Sequence, residues 1–444
     1  MRIYFPLVPI SFYEALTLVY DYNYTSPIKH FHFDSQLTHI IKNIIKGICP
    51  EIPLTLGTRI QSLDFIGFMD IELPNLSLDY FIIDGSIGGP SVWGRQLHNF
   101  LEKSQKLSAF LSYSRMELDI QGEKISIAHI PHKKIIYTTI ARYLVLNLLP
   151  DRCIIIGRDW AARMFDIVSP KKTMIVETGY GDENLFPFPL FSHKIEELLI
   201  NEILFRENTY PWDSFTHRYA ASRCVEKCQN IFWSEKIAKK IHRKFPDSEI
   251  FFSPPNVLFK KNVKCKKSFE KQMTILAGLG HHQSGQNSIN FLNLMPLLKC
   301  TKRLKDKLRV ILLSKNPELL RKQTCDYAVE ILPFFAQEEF FKLFSYVHVY
   351  YRVQNDASIP ISVIEAMSQG CVPIVNKKCA STWSDLINGK NTMFVEYGNQ
   401  SDLNKKLQKL LDDPENTVTI GNNAKELVLT HCDLKKNLES VGII

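Results

Sequence analysis

The stretch SIPISVIEAMSQGCVPIV, residues 358–375, decides how this chain is read. Pro360 precedes an apolar run and suits a helix start, where its fixed φ and missing N–H do no harm. Gly370 marks the helix end, where a left-handed residue closes the last turn, and Pro373 opens the strand that follows. The first turn is expected to present the backbone N–H groups of Ser362, Val363 and Ile364, with Ser358 just ahead of them. Open amides and the positive end of the helix dipole make that turn a site for a diphosphate. Glu365 in the same helix is placed to accept hydrogen bonds from ribose hydroxyls. Read alone, the stretch also fits an ordinary buried helix between two strands.

Outward from this segment, short β-branched runs alternate with amphipathic stretches, the pattern of a parallel sheet covered by helices. C-terminal candidate strands are MTILAGL (273–279), LRVILLS (308–314), VEILPF (329–334), SYVHVYY (345–351), CVPIVN (371–376) and TMFVEY (392–397). An earlier series holds YFIID (80–84), LSAFLSY (107–113), KISIAHI (124–130), CIIIG (153–157), MIVET (174–178), NIFWS (230–234) and EIFFS (249–253). Between the two series, Pro254-Pro255-Asn256 and a Lys-rich stretch read as a linker. The expected class is α/β, with two Rossmann-like domains facing across a cleft. Residues 1–78 form an N-terminal extension of unclear fold, 79–258 the first domain, 259–272 the linker and 273–444 the second domain, whose last helix is expected to pack back on the first.

A chain of 444 residues exceeds what one core usually organises, and 45% hydrophobic against 23% charged residues is globular. The net charge of +8 is spread along the chain, which fits anionic substrates, an acidic membrane surface or an ordinary solvated face. Residues 35–49 place Ile40, Ile41, Ile44, Ile45 and Ile48 at helical spacing, for packing on the adjacent domain or for lying on a membrane. Zinc-finger spacing, RNA-binding aromatic motifs and heptad-linked basic regions are missing from the sequence, so nucleic acid is not an expected partner. Ten cysteines are scattered singly, and the opening residues lack the pattern of a signal peptide. The expectation is a cytoplasmic protein, peripheral at a membrane at most, with Cys224 and Cys228 as buried thiols rather than metal ligands.

The 358–375 segment resembles the signature of the family 4 retaining glycosyltransferases of GT-B fold. The resemblance continues through SDLINGKNTMFVEYGNQSDLNKKLQKLLDDPENTVTIGNNAKELV and covers about 273–428. Weaker echoes lie earlier. GGPSVWGRQLHNFLEK resembles the glycine-rich loop and helix after the first strand, placing Gly88 and Gly89 beside acceptor and transferred sugar. CIIIGRDWAARMF resembles the element that carries a cleft-lining His or Asp, implicating Arg158 and Asp159, with Asp159 in a catalytic role alongside Glu365. IVETGYG adds Tyr180, and WSEKIAKKIHRKF resembles the last helix of the first domain. Simpler readings stand beside these: a tight turn for Gly88 and Gly89, and a helix N-cap for Asp159.

The chain departs from the family pattern in AGLGHHQSGQNSINFL, which lays Gly278 and Gly280 against the donor. Leu279 and Ser284 stand where the family places an arginine and a lysine, and Ala357 stands where it places an acid. Asp356 is the nearest substitute for that acid. Arg352, then His281 and His282, are the replacements for the missing cations. The resemblance implies transfer from a nucleotide-sugar to a saccharide, lipid-linked or protein acceptor, with retention of configuration. Neither metal nor cofactor is implied beyond the nucleotide-sugar co-substrate, and cell-envelope polysaccharide assembly is the expected setting. The alternative is a GT-B-like binding or scaffold subunit that has lost donor chemistry; an epimerase or phosphorylase fits less well.

Overall fold

The computed structural model describes residues 78–85, 89–126, most of 137–178, 185–190, 215–255, 272–278, most of 287–333, 341–353 and 359–440, with short pieces beyond them. One such piece pairs β1 (Arg2–Ile3) with β2 (Ile71–Glu72) antiparallel.

An eight-stranded sheet has the order β10-β9-β8-β7-β3-β4-β5-β6. Its members are β3 (Tyr80–Asp84), β4 (Ser108–Ser112), β5 (Glu117–Ile120), β6 (Glu123–Ser126), β7 (Arg152–Ile156), β8 (Thr173–Glu177), β9 (Gln229–Phe232) and β10 (Ile250–Phe252). β3 lies between β4 and β7 and is parallel to both, and all five of its residues are buried. Burial on both faces is why these strands read as unbroken apolar runs. The edge departs from the all-parallel expectation, because β4, β5 and β6 form an antiparallel meander. Helices here include α1 (Gly89–Lys103), α2 (Arg158–Ala162), α3 (Phe215–Lys227) and α4 (Glu235–Lys244).

A second sheet is parallel throughout, in the order β13-β12-β11-β14-β15-β16. Its strands are β11 (Met273–Gly278), β12 (Leu308–Ser314), β13 (Val329–Pro333), β14 (Val349–Arg352), β15 (Val372–Asn376) and β16 (Met393–Val395). α5 (Asn287–Arg303), α6 (Pro317–Gln323), α7 (Ile361–Ser368), α8 (Gln400–Asp412), α9 (Pro414–His431) and α10 (Leu434–Ser440) complete this half. Ile275, Leu312, Val349 and Ile374 of the sheet share one core with Leu297, Leu407 and Ile420 of the helices. Each fully buried aliphatic side chain of this kind contributes about 1.5–3 kcal/mol.

The chain forms two compact units, one of Met1–Gly85, Leu101–Ile175 and Asn184–Gln229, the other of Ser86–Phe100, Val176–Glu183 and Asn230–Ile444. Within the second, the N–H of Glu235 donates to the Thr382 carbonyl at 2.8 Å and the Ser384 N–H donates to the Glu235 carboxylate at 2.8 Å. The Asn437 amide of α10 donates to Ser253 Oγ at 3.3 Å. Among the described residues no helix is long and apolar enough to cross a membrane.

Candidate active site

The second unit builds its site where β14 ends and α7 begins. α7 starts after Pro360 in extended conformation and ends before Gly370, whose φ of 71° is the left-handed turn that glycine takes without strain. Pro360 thus occupies the cap position, and its carbonyl accepts from Val363 N–H at 2.9 Å and from Ile364 N–H at 3.5 Å. This corrects the expected set of open amides. Val363 and Ile364 point their N–H groups into the helix, and the amides without an acceptor among the described residues are those of Ile361 and Ser362, as the geometry of a first turn requires.

Around that turn the strand supplies polar groups. Tyr350 is buried and shares a hydrogen bond with the Ser362 side chain. Burial raises its pKa above the usual phenol value, with nearby Arg352 and the Ser362 bond acting against the rise and Glu365 adding to it. Arg352, the last residue of β14, is half-buried, and Glu365 is buried on α7 with 6% exposure. One end of the sheet therefore gathers a cation, a carboxylate, two hydroxyls and two amides. Gly278 ends the neighbouring β11. Asp356, Ser358, Gly280 and His281, with Leu279, Ser284, His282 and Ala357, lie outside the described residues.

In the first unit, β7 leads through Gly157, at φ 97°, into α2. Gly157 caps α2 without a side-chain bond, so Asp159 is not an N-cap but sits inside the first turn. Its carboxylate lies 3.5 Å from Arg163 Nε and 3.6 Å from His217 Nδ1. Burial pushes His217 down to about 4 against the opposing pull of Asp159, so the ring is neutral near pH 7 and the contact is not an ion pair there. Arg158 is fully buried. The buried Cys224 thiol donates to the Ala161 carbonyl at 3.3 Å, and burial raises the Cys228 thiol to about 12, so Cys228 is a protonated packing group. Gly89 begins α1; Gly88 and Tyr180 lie outside the described residues.

Residues 287–427, which include the β14–α7 site, match the family model "Glycosyl transferases group 1". That stretch resembles this family of glycosyltransferases. The fold is correspondingly GT-B. Sucrose-phosphate synthase from Thermosynechococcus elongatus superposes with a TM-score of 0.58 at 12% identity, over 82% of this chain and 97% of the synthase. WaaG, a glycosyltransferase involved in lipopolysaccharide biosynthesis, gives 0.52 at 11% identity over 79% of this chain and 95% of its own. Anabaena HepE in complex with UDP and glucose gives 0.52 at 10% identity over 82% and 98%. Comparison with curated proteins gives no match.

Within this candidate site, the residue that sequence reasoning missed is Tyr350. Its neighbours Val349 and Tyr351 are apolar strand residues of the same run, so nothing in the pattern separates it. The signal was its position, two residues before Arg352 on the same strand face and opposite Pro373 in register.

Proposed function

We propose that this protein transfers a sugar from a nucleoside diphosphate sugar to an acceptor hydroxyl. The supporting observation is the convergence of Arg352, Tyr350, Ser362 and Glu365 with the amides of Ile361 and Ser362 at one end of a parallel sheet. The carboxyl ends of parallel strands are where α/β folds bind ligands. In this reading the amides and Arg352 hold the diphosphate, and Glu365 accepts from the ribose. That HepE has been seen with UDP and glucose adds to the case for a uridine nucleotide.

The anomeric carbon loses its bond to the diphosphate oxygen and gains one to the acceptor oxygen. The acceptor proton leaves toward the departing phosphate or solvent, so the products are the glycoside, a nucleoside diphosphate and one proton. Developing negative charge on the leaving group is stabilised by positioned amides and the Arg352 guanidinium. Asp159, engaged by Arg163 beside neutral His217, steadies α2 on the acceptor side, with Arg158 buried in the same helix. The reading includes retention of configuration without a metal. Release of UDP from UDP-sugars should persist in excess chelator and give a product of unchanged anomeric configuration by NMR; loss of activity on chelation sinks the metal-independent part.

A second reading, a binding subunit without chemistry, draws on Leu279 and Ser284 standing where the resembling family has cations. Its mark would be nucleotide binding with no turnover of any donor. An envelope setting at a membrane surface draws on the exposed Lys236, Lys239 and Arg243 of α4. Flotation with anionic vesicles at low salt should carry the protein upward, and a protein left at the bottom removes that setting.

A further inference from the structure

We propose that His98, Glu102 and Asp119 hold a divalent transition-metal ion, with zinc the best fit, that ties the last turns of α1 to the antiparallel strand β5. The proposal does not depend on the transferase reading above: it concerns the stability of the chain and not the transfer step.

The sequence puts two of the ligands on one helix face. His98 and Glu102 are four residues apart in α1, so their side chains lie one turn above the other. That is the inward face, since Leu97, His98 and Leu101 are fully buried. Asp119 comes from β5, opposite Phe110 of β4, and is 4% exposed between buried Leu118 and Ile120. Its Oδ1 accepts from the Gly122 N–H at 3.2 Å, which sets the orientation of the carboxylate. One imidazole nitrogen and one oxygen from each carboxylate all lie within 4.8 Å of one another. Among the described residues no other three histidine, cysteine or acidic side chains converge in this way.

Two carboxylates drawn together against a buried imidazole repel each other with little water to screen them. A divalent cation neutralises both. The imidazole favours zinc and its transition-metal neighbours over magnesium or calcium, which prefer an all-oxygen shell. Nitrogen and oxygen ligands stand about 2.1 Å from zinc and hence about 3.4 Å from each other in a tetrahedron, so closure asks for little more than an ångström of side-chain rotation. Glu102 is half-buried and gives the ion its way in, and water completes the coordination. The rival occupant of the same position is a proton on His98, which would leave an imidazolium between the carboxylates.

The test uses the full chain, stripped with chelator, returned to chelator-free buffer at pH 7 and titrated calorimetrically with Zn2+. Glu102→Gln and Asp119→Asn each keep size and hydrogen bonding but remove one charge. Glu102 is only half-buried, so Glu102→Gln tests the site even if Asp119→Asn does not fold. We expect one Zn2+ bound per chain, undisturbed by excess Mg2+, with an affinity at least about tenfold lower in each folded variant. The unfolding temperature should rise with Zn2+ in the wild type and stay unchanged in Glu102→Gln. Chelation is accordingly read here as a fall in unfolding temperature and not as a loss of transfer. A folded wild type that binds no Zn2+ overturns the site, and is the result a protonated His98 gives. Equal affinity in wild type and Glu102→Gln also overturns it, and would assign the ion to other histidines of the chain.

Discussion

Single residues carry much of the local order. Gly85→Ala would place a methyl inside the Trp160 indole, which cannot yield by a few tenths of an ångström. We expect a loss of about 1–3 kcal/mol of stability together with a changed near-ultraviolet dichroism spectrum from the displaced indole. A variant as stable as the wild type with an unchanged spectrum would show that the indole is not seated there. His217 gives a pH signature. Its native pKa of about 4 lies below the ordinary 6.5, so between those values the unfolded chain binds the extra proton and the folded state loses stability as pH falls. The loss should amount to roughly 2–3 kcal/mol on moving from pH 7 to pH 4.5. Urea unfolding of wild type and His217→Gln at both pH values checks this, the variant being the flatter; equal losses in both would assign the acid sensitivity elsewhere. Glu365 was legible in the sequence because a carboxylate one turn into an otherwise apolar helix has few structural uses. The open amides were misassigned by one or two positions, since only coordinates show that the Pro360 carbonyl already accepts from the N–H groups of Val363 and Ile364.

At the scale of elements, the strands were readable where burial on both faces forces continuous apolar runs, and YFIID and LRVILLS match their strands residue for residue. ELDI and EKIS were harder to see, because short edge strands that pair antiparallel keep charged residues and lose the apolar signature. KISIAHI was accordingly read as a strand of the parallel set, whereas its first residues complete a meander. The SYVHVYY strand begins later than its apolar run, since His348 is spent at the strand entrance, where its Nδ1 accepts from Thr274 N–H at 3.0 Å. Packing between helices also escapes periodicity. Gly421 of α9 sits against the end of α7, and a Cβ there would meet the Gly370 carbonyl oxygen at 2.3 Å. Gly421→Ala is therefore expected to shift α7, lowering the unfolding temperature and weakening nucleotide binding together. A variant less stable but with full nucleotide affinity would separate that packing from the site.

At the scale of the molecule, two sheets with helices between their strands give the GT-B fold, and residues 287–427 match the model of glycosyl transferases group 1. The order of apolar runs announced the fold because connection rules for parallel strands leave few ways to arrange them. The first unit was less legible, since its aromatic cluster draws Tyr113, Tyr137 and Trp160 from separate stretches of chain that only folding brings together. The central claim is that the β14–α7 turn binds a nucleoside diphosphate. It is tested most directly by calorimetric titration of the folded protein with UDP and GDP, alongside Glu365→Ala. The account predicts saturable binding of at least one nucleotide, weakened at least about tenfold in the variant at an unchanged unfolding temperature. Saturable binding of neither nucleotide, or equal affinity in Glu365→Ala, would contradict it.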